Sequence, residues 1–137
     1  MDLNTVKTVL QQCELFRGLD ESELDLLIGN GQLKQLPRGK ILYMKGEPSD
    51  DTFCAILSGS VNIVAKDGHV VKDIGRGEVI GEVALSDPNR ARTVTVITKD
   101  PTEVFEWNVH QIKDKIPGLW KTLLKLAWKK ITAYYEE

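Results

Sequence analysis

The chain has 137 residues, a formal net charge of −2 and 42% apolar residues. That length suits one domain with its own core, and the small charge excludes a strongly basic nucleic-acid binder and an acidic tail. Cys13 and Cys54 make no disulfide framework. With no secretory leader and no apolar run long enough to span a bilayer, a soluble cytoplasmic protein without membrane contact is expected.

In chain order, "NTVKTVLQQCELF" spaces Val6, Val9, Leu10 and Cys13 three or four apart, which paints one apolar stripe on a helix. "LDESELDLLIGNG" opens on Asp20 as N-cap, has Glu23 three residues later and stops at Gly31. The acids Asp20, Glu21, Glu23 and Asp25 read as a capped helix start with a solvated face, not as an acid site. Helices are thus expected over 1–35.

From Leu36 to Trp107 the pattern changes. "KILYMKG", "DTFCAILSG", "SVNIVAK", "HVVKDIG", "RTVTVIT" and "TEVFEW" are short and rich in β-branched or aromatic residues. Asp67-Gly68 is a two-residue hairpin signal, because both positions accept positive φ. Cys54, inside one of these strands, reads as a small buried hydrophobe. Many short strands with no helices between them favour a sandwich, barrel or jelly roll over a βαβ sheet. One interruption, "GEVAL", can form a single helical turn before Asp87-Pro88-Asn89 breaks it, after which Arg92 leads into the strand "TVTVIT".

The segment 108–137 is helical again. "NVHQIKDKI" is short, and Pro117 suits the first turn of the longer helix that follows. On a helical wheel Lys121, Lys125, Lys129 and Thr132 share a polar arc. Leu119, Trp120, Leu123, Leu124, Leu126, Ala127, Ile131, Tyr134 and Tyr135 cover the rest. So wide an apolar arc implies two surfaces, the β-domain and either a partner chain or a ligand. No helix-turn-helix follows, so direct DNA binding by this chain is not expected. The whole reads as a single domain, 1–137.

Enzymatic readings fare poorly. His69 and His110 are the only histidines, too few for a jelly-roll metal site, and no nucleophile elbow, zinc helix or Walker motif is present. "GRGEVIG" (75–81) has its third glycine one residue late for a dinucleotide loop. We therefore expect no enzyme, no metal and no cofactor. The weight falls on Gly81–Thr93. A helical turn there offers free N–H groups to an anion, and arginine supplies paired planar donors that match phosphate. Glu82, a carboxylate, needs hydroxyl donors such as those of a ribose. Phosphate and sugar hydroxyl together point to a nucleotide. A Glu82–Arg92 or Glu82–Arg90 salt bridge closing a loop stands beside that reading.

"RGEVIGEVALSDPNRARTVTV" resembles the phosphate-binding cassette of the cyclic nucleotide-binding domain family, which includes bacterial catabolite activator proteins, protein kinase A regulatory subunits and cyclic-nucleotide-gated channels. "LPRGKILYMKGEPSDDTFCAILSGSVNIV" is similar to the family's first strands, and "LFRGLDESELDLL" to the helical segment before them. The resemblance implies a mainly β fold, a double-stranded β-helix jelly roll with N-terminal helices (1–35), the roll itself (36–107) and a C-terminal lid or dimerisation helix (108–137). It implies a sensor that binds cyclic AMP or cyclic GMP and signals by moving its last helix, toward a homodimer partner or an effector protein. An alternative is the same fold kept as an interaction or dimerisation module that binds no nucleotide. Position by position, Gly81 and Glu82 match the family's Gly-Glu pair, whose glutamate holds the ribose 2′-hydroxyl. Val83 and Ala84 follow, with Ala84 where a backbone N–H meets the cyclic phosphate. Arg92 matches the phosphate arginine and Thr93 the hydroxyl residue after it, with Arg90 a competitor for the phosphate. Val94 stands where many members carry alanine. Tyr134 and Tyr135 align near the positions that cap the purine.

Overall fold

The computed structural model describes residues 2–65, 68–81, 92 and 94–134, with side chains followed to residue 126 in the last helix. Helix α1 (Leu3–Gln12) is capped by Asp2, whose side chain accepts from the Thr5 N–H, and it buries Val6, Val9 and Leu10. A 3-10 turn (Glu14–Phe16) adds Leu15 and Phe16 to the core. Helix α2 (Glu21–Gly29) carries the expected capping box between Asp20 and Glu23 and buries Leu24 and Leu27. Two of its acids, Glu21 and Asp25, face Lys7 Nζ at 3.2 and 3.4 Å, which makes the acidic cluster a solvated helix face.

Strand β1 (Gln32–Leu36) lies largely inside the segment expected to be helical. Its sequence, Gln-Leu-Lys-Gln-Leu, carries no local strand signal. Five residues in register against β8 (Thr102–Asn108) decide its conformation, so tertiary pairing overrides propensity here. At the α2–β1 junction Gly31 has no room for a side chain, since a Cβ would run into the Phe105 ring and the Trp107 indole nitrogen.

The remaining strands are β2 (Ile41–Tyr43), β3 (Thr52–Ser58), β4 (Ser60–Val64), β5 (Val70–Gly75), β6 (Val79–Ile80) and β7 (Thr95–Thr98). They form two four-stranded sheets in the orders β1-β8-β3-β6 and β2-β7-β4-β5, antiparallel throughout. This is the expected mainly β jelly roll with flanking helices. Strand β7 is shorter than "RTVTVIT" suggested: the ladder begins at Thr95, and Arg92 precedes it.

Strand β3 explains the two cores. All of Thr52–Leu57 are buried, as in a strand covered on both faces. Because alternate side chains point to opposite faces, Phe53, Ala55 and Leu57 join a cluster under the helices, while Cys54 and Ile56 join Val61, Ile63, Ile74, Ile80, Val96 and Val104 between the sheets. Trp107, 1% exposed, sits at the centre of the helical cluster. Its ring lies 5.2, 5.3 and 5.1 Å from those of Phe16, Phe53 and Phe105. Its indole N–H donates to Leu27 O of α2 at 2.7 Å, which satisfies the one polar atom in that cluster side chain.

Helix α3 (Val109–Lys113) starts directly after β8, capped by the Asn108 side chain. Helix α4 (Pro117–Tyr134) has Pro117 in its first turn. Ile112, Ile116, Leu119 and Leu123 are buried in the helical cluster, with Trp120 and Leu126 half-buried against it. Lys121 and Lys125 are exposed, on the polar arc expected of them. No helix among the described residues is long and apolar enough to cross a membrane.

Candidate functional site

Of the residues singled out in the sequence, the structure brings Gly81 and Arg92 together. Arg92 is only 6% exposed. Its backbone is fixed on both sides by the segment after β2: the Arg92 N–H donates to Glu47 O at 2.8 Å and its carbonyl accepts from Gly46 N at 2.9 Å. Its guanidinium then reaches back to the start of β3. Nη1 donates to Thr52 O at 3.1 Å and to Gly81 O at 3.2 Å. Nη2 donates to Asp50 Oδ1 at 3.0 Å and to Thr52 Oγ1 at 2.9 Å. Thr52 Oγ1 in turn donates to the same Asp50 oxygen at 2.5 Å. A buried charge costs several kcal/mol unless its donors are paired, and these four bonds pair both terminal nitrogens.

The flat face of the guanidinium rests on an aromatic ring. Arg92 Cζ lies 3.7 Å from the Tyr43 ring centroid, within the range of a cation–π contact. Tyr43 is buried among the between-sheet core, and its hydroxyl lies 3.5 Å from Cys54 Sγ. Burial pushes the Tyr43 phenol well above its usual value of 10.0, reinforced by the neighbouring Cys54 and opposed by Arg92, so the ring stays neutral. Gly81 closes the group. Its φ of +91° is a left-handed conformation that glycine adopts without steric cost. A Cβ there would stand 2.8 Å from Tyr43 Oη and 3.0 Å from Arg92 Nη1.

Asp50 carries opposing influences. Partial burial raises its pKa, but the Thr52 hydroxyl and the Arg92 charge outweigh it, and the carboxyl is held below its usual 3.8. Its side chain is still 73% exposed. The next residue, Asp51, is left-handed at φ +60° and is tied to the start of α3: Val109 N–H donates to Asp51 O at 2.9 Å, and His110 Nε2 lies 2.6 Å from Asp51 Oδ2. The 50–51 turn therefore faces Arg92 with one residue and α3 with the other.

Glu82, Val83, Ala84, Arg90, Thr93 and Tyr135 lie outside the described residues, as does Asp67 of the expected hairpin turn, and Tyr134 is described only as the last backbone residue of α4. Val94 packs against the between-sheet core. Asp50, Thr52 and Tyr43 were not anticipated. The only local hint was the polar run Ser49–Asp51 leading into β3 at Thr52, and the partner of Asp50 and Thr52 lies 40 or more residues away. Cys54 is fully buried, as expected. Cys13 is buried too, and burial pushes its thiol up to about 11. Among the described residues no group of three or more His, Cys, Asp or Glu side chains could hold a metal ion.

The sequence profile of the cyclic nucleotide-binding domain matches residues 33–116. A CRP-like cAMP-activated global transcriptional regulator of Mycobacterium tuberculosis is 31% identical over 96 residues, covering 66% of this chain and 42% of that protein. This chain thus spans about two-fifths of that relative's length. Among solved structures, the regulatory domain of Toxoplasma gondii PKA with cAMP is similar at a TM-score of 0.73 and 26% identity, over 83% of this chain and 45% of that one. Thermus thermophilus catabolite activator protein shares the fold at a TM-score of 0.74 and 22% identity, over 87% and 58%.

Proposed function

This chain belongs to the cyclic nucleotide-binding domain family, and on that premise we propose that it is a regulatory domain that binds cyclic AMP or cyclic GMP in the cassette Gly81–Thr93. Arg92 takes the cyclic phosphate, with the backbone N–H of Ala84 beside it and Val83 in the same site. Glu82 holds the ribose 2′-hydroxyl and Thr93 adds a hydroxyl. The observation that carries the reading is a guanidinium 6% exposed, held against the carbonyl of a left-handed Gly81. Of its partners, Asp50 is the replaceable one. The Thr52 and Gly81 carbonyls belong to the backbone, whereas the Asp50 side chain is mostly in water and can leave when a phosphate arrives.

Asp50 also gives a route to the C-terminal helices. When it is released from Arg92, the adjoining Asp51 and its bonds to Val109 and His110 feel the change, and α3 runs into α4 through Ile116. Ligand binding then shifts the population of α4 positions, read by a second copy through that helix or by an effector protein.

A second reading draws on one observation. Both terminal nitrogens of Arg92 already have protein acceptors, as a domain kept for protein interaction or dimerisation without a nucleotide would require. Titration calorimetry with cyclic AMP and cyclic GMP separates the two. Binding by at least one nucleotide is expected, with Arg92→Ala losing about 2–5 kcal/mol of it and Arg90→Ala far less. Absence of heat and of any thermal shift at millimolar concentrations of both ligands rejects the sensor.

A further inference from the structure

Resting on the reading in which Arg92 meets the phosphate, we propose that Tyr43 is the positioning residue of the site: its ring is the platform that fixes the plane of the Arg92 guanidinium and so aims its donors. A guanidinium presents its N–H groups at the edge of a plane and offers its face to apolar or π surfaces. Here edge and face are divided between different partners. Asp50, Thr52 and Gly81 take the edge, and the Tyr43 ring takes the face at 3.7 Å. A residue on the face competes with no donor that an incoming phosphate needs. When the Asp50 carboxylate departs, the ring still holds the plane.

The ring is itself fixed. Tyr43 ends β2 opposite Val96, after an irregularity in register between Ile41 and Tyr43. It packs among the between-sheet residues and is anchored at its tip by Cys54 Sγ, 3.5 Å from the hydroxyl. Gly81 lies close against the ring and the guanidinium together, where any Cβ would meet both the phenol and the guanidinium. Because the phenol stays neutral in this burial, what it offers Arg92 is a π face and not a counter-charge. Phenylalanine can therefore replace it in this role, and leucine, of suitable volume but without a π face, cannot.

Two measurements test this. In the ligand-free protein, NMR of the Arg92 side chain should show δ-methylene protons shifted upfield by the ring, retained in Tyr43→Phe and lost in Tyr43→Leu. In calorimetry with whichever cyclic nucleotide binds, Tyr43→Phe should stay within about twofold of the parent while Tyr43→Leu weakens by roughly 5- to 30-fold. Both variants should keep a dispersed spectrum and a cooperative melt, and Tyr43→Met serves if the leucine variant fails to fold. A folded Leu or Met variant with parental affinity overturns the proposal, as does a Phe variant that loses as much as the Leu one, or an Arg92 spectrum without ring shifts in the parent. If the parent binds no cyclic nucleotide, the sensor reading falls, while the ring shifts still decide whether Tyr43 holds Arg92.

Discussion

Arg92 is a charge with a place prepared for it. Its backbone is fixed by Gly46 and Glu47, and its side chain by Asp50, Thr52 and Gly81, so that residues 43–52 wrap around it. Local chemistry left Arg92 and Arg90 open, and it was the resemblance of the cassette that pointed to Arg92, at the family's phosphate-arginine position before a β-branched run. The sequence could not point to Asp50, Thr52 or Tyr43, because a contact across 40 or more positions leaves no mark in local spacing. The Asp50 pair has a consequence in pH. A carboxyl whose folded pKa lies below its unfolded value adds stability above that value and loses it as pH falls through the folded one. Asp50→Asn should therefore melt at a lower temperature than the parent at pH 7, and the gap should close as the pH is taken below 3.8. Thermal melts of both proteins across that range check it, and an unchanged gap in acid would refute the assignment.

Elements were legible where their periodicity or caps are local. The first two helices and the last one follow from apolar spacing, Asp20, Glu23 and Pro117, and the unbroken apolar run of β3 matches a strand covered on both sides. Strand β1 was not legible, since its polar residues become a strand only through β8. The start of β7 was placed too early, because the segment holding Arg92 bonds to the loop after β2 instead of extending the ladder. The capping box of α2 provides a prediction at this scale. Asp20→Ala removes the acceptor for the Glu23 N–H, 2.8 Å away, and should cost about 0.5–2 kcal/mol in urea unfolding without altering nucleotide affinity. A larger loss, or a change in binding, would mean that α2 does more than cover the sheet.

At the scale of the molecule, the helices form the second lid of the core and are not an appendage. Residues from α1, α2, α3 and α4 meet on one face of the β1-β8-β3-β6 sheet around Trp107. Leu123, 1% exposed, is the farthest along α4 of the fully enclosed residues whose side chains are described. Leu123→Ala should cost about 2–5 kcal/mol, the usual range for truncating a buried leucine. A cooperative melt displaced downward is the expected result. A variant as stable as the parent would mean that α4 is held elsewhere along its length. The breadth of the α4 apolar arc was visible in the sequence, but what lies against its first half was not, because the wheel does not say which sheet face is vacant.

The two-sidedness of β3 makes the distance between site and lid very short. Thr52 receives Arg92 through both its hydroxyl and its carbonyl, and Phe53, the next residue, stacks on Trp107 at 5.3 Å. The β3 strand is thus a lever with a single peptide link as its arm. In the sensor proposed above, a ligand drawing on Arg92 would therefore act one peptide link away from the ring that stacks on the indole.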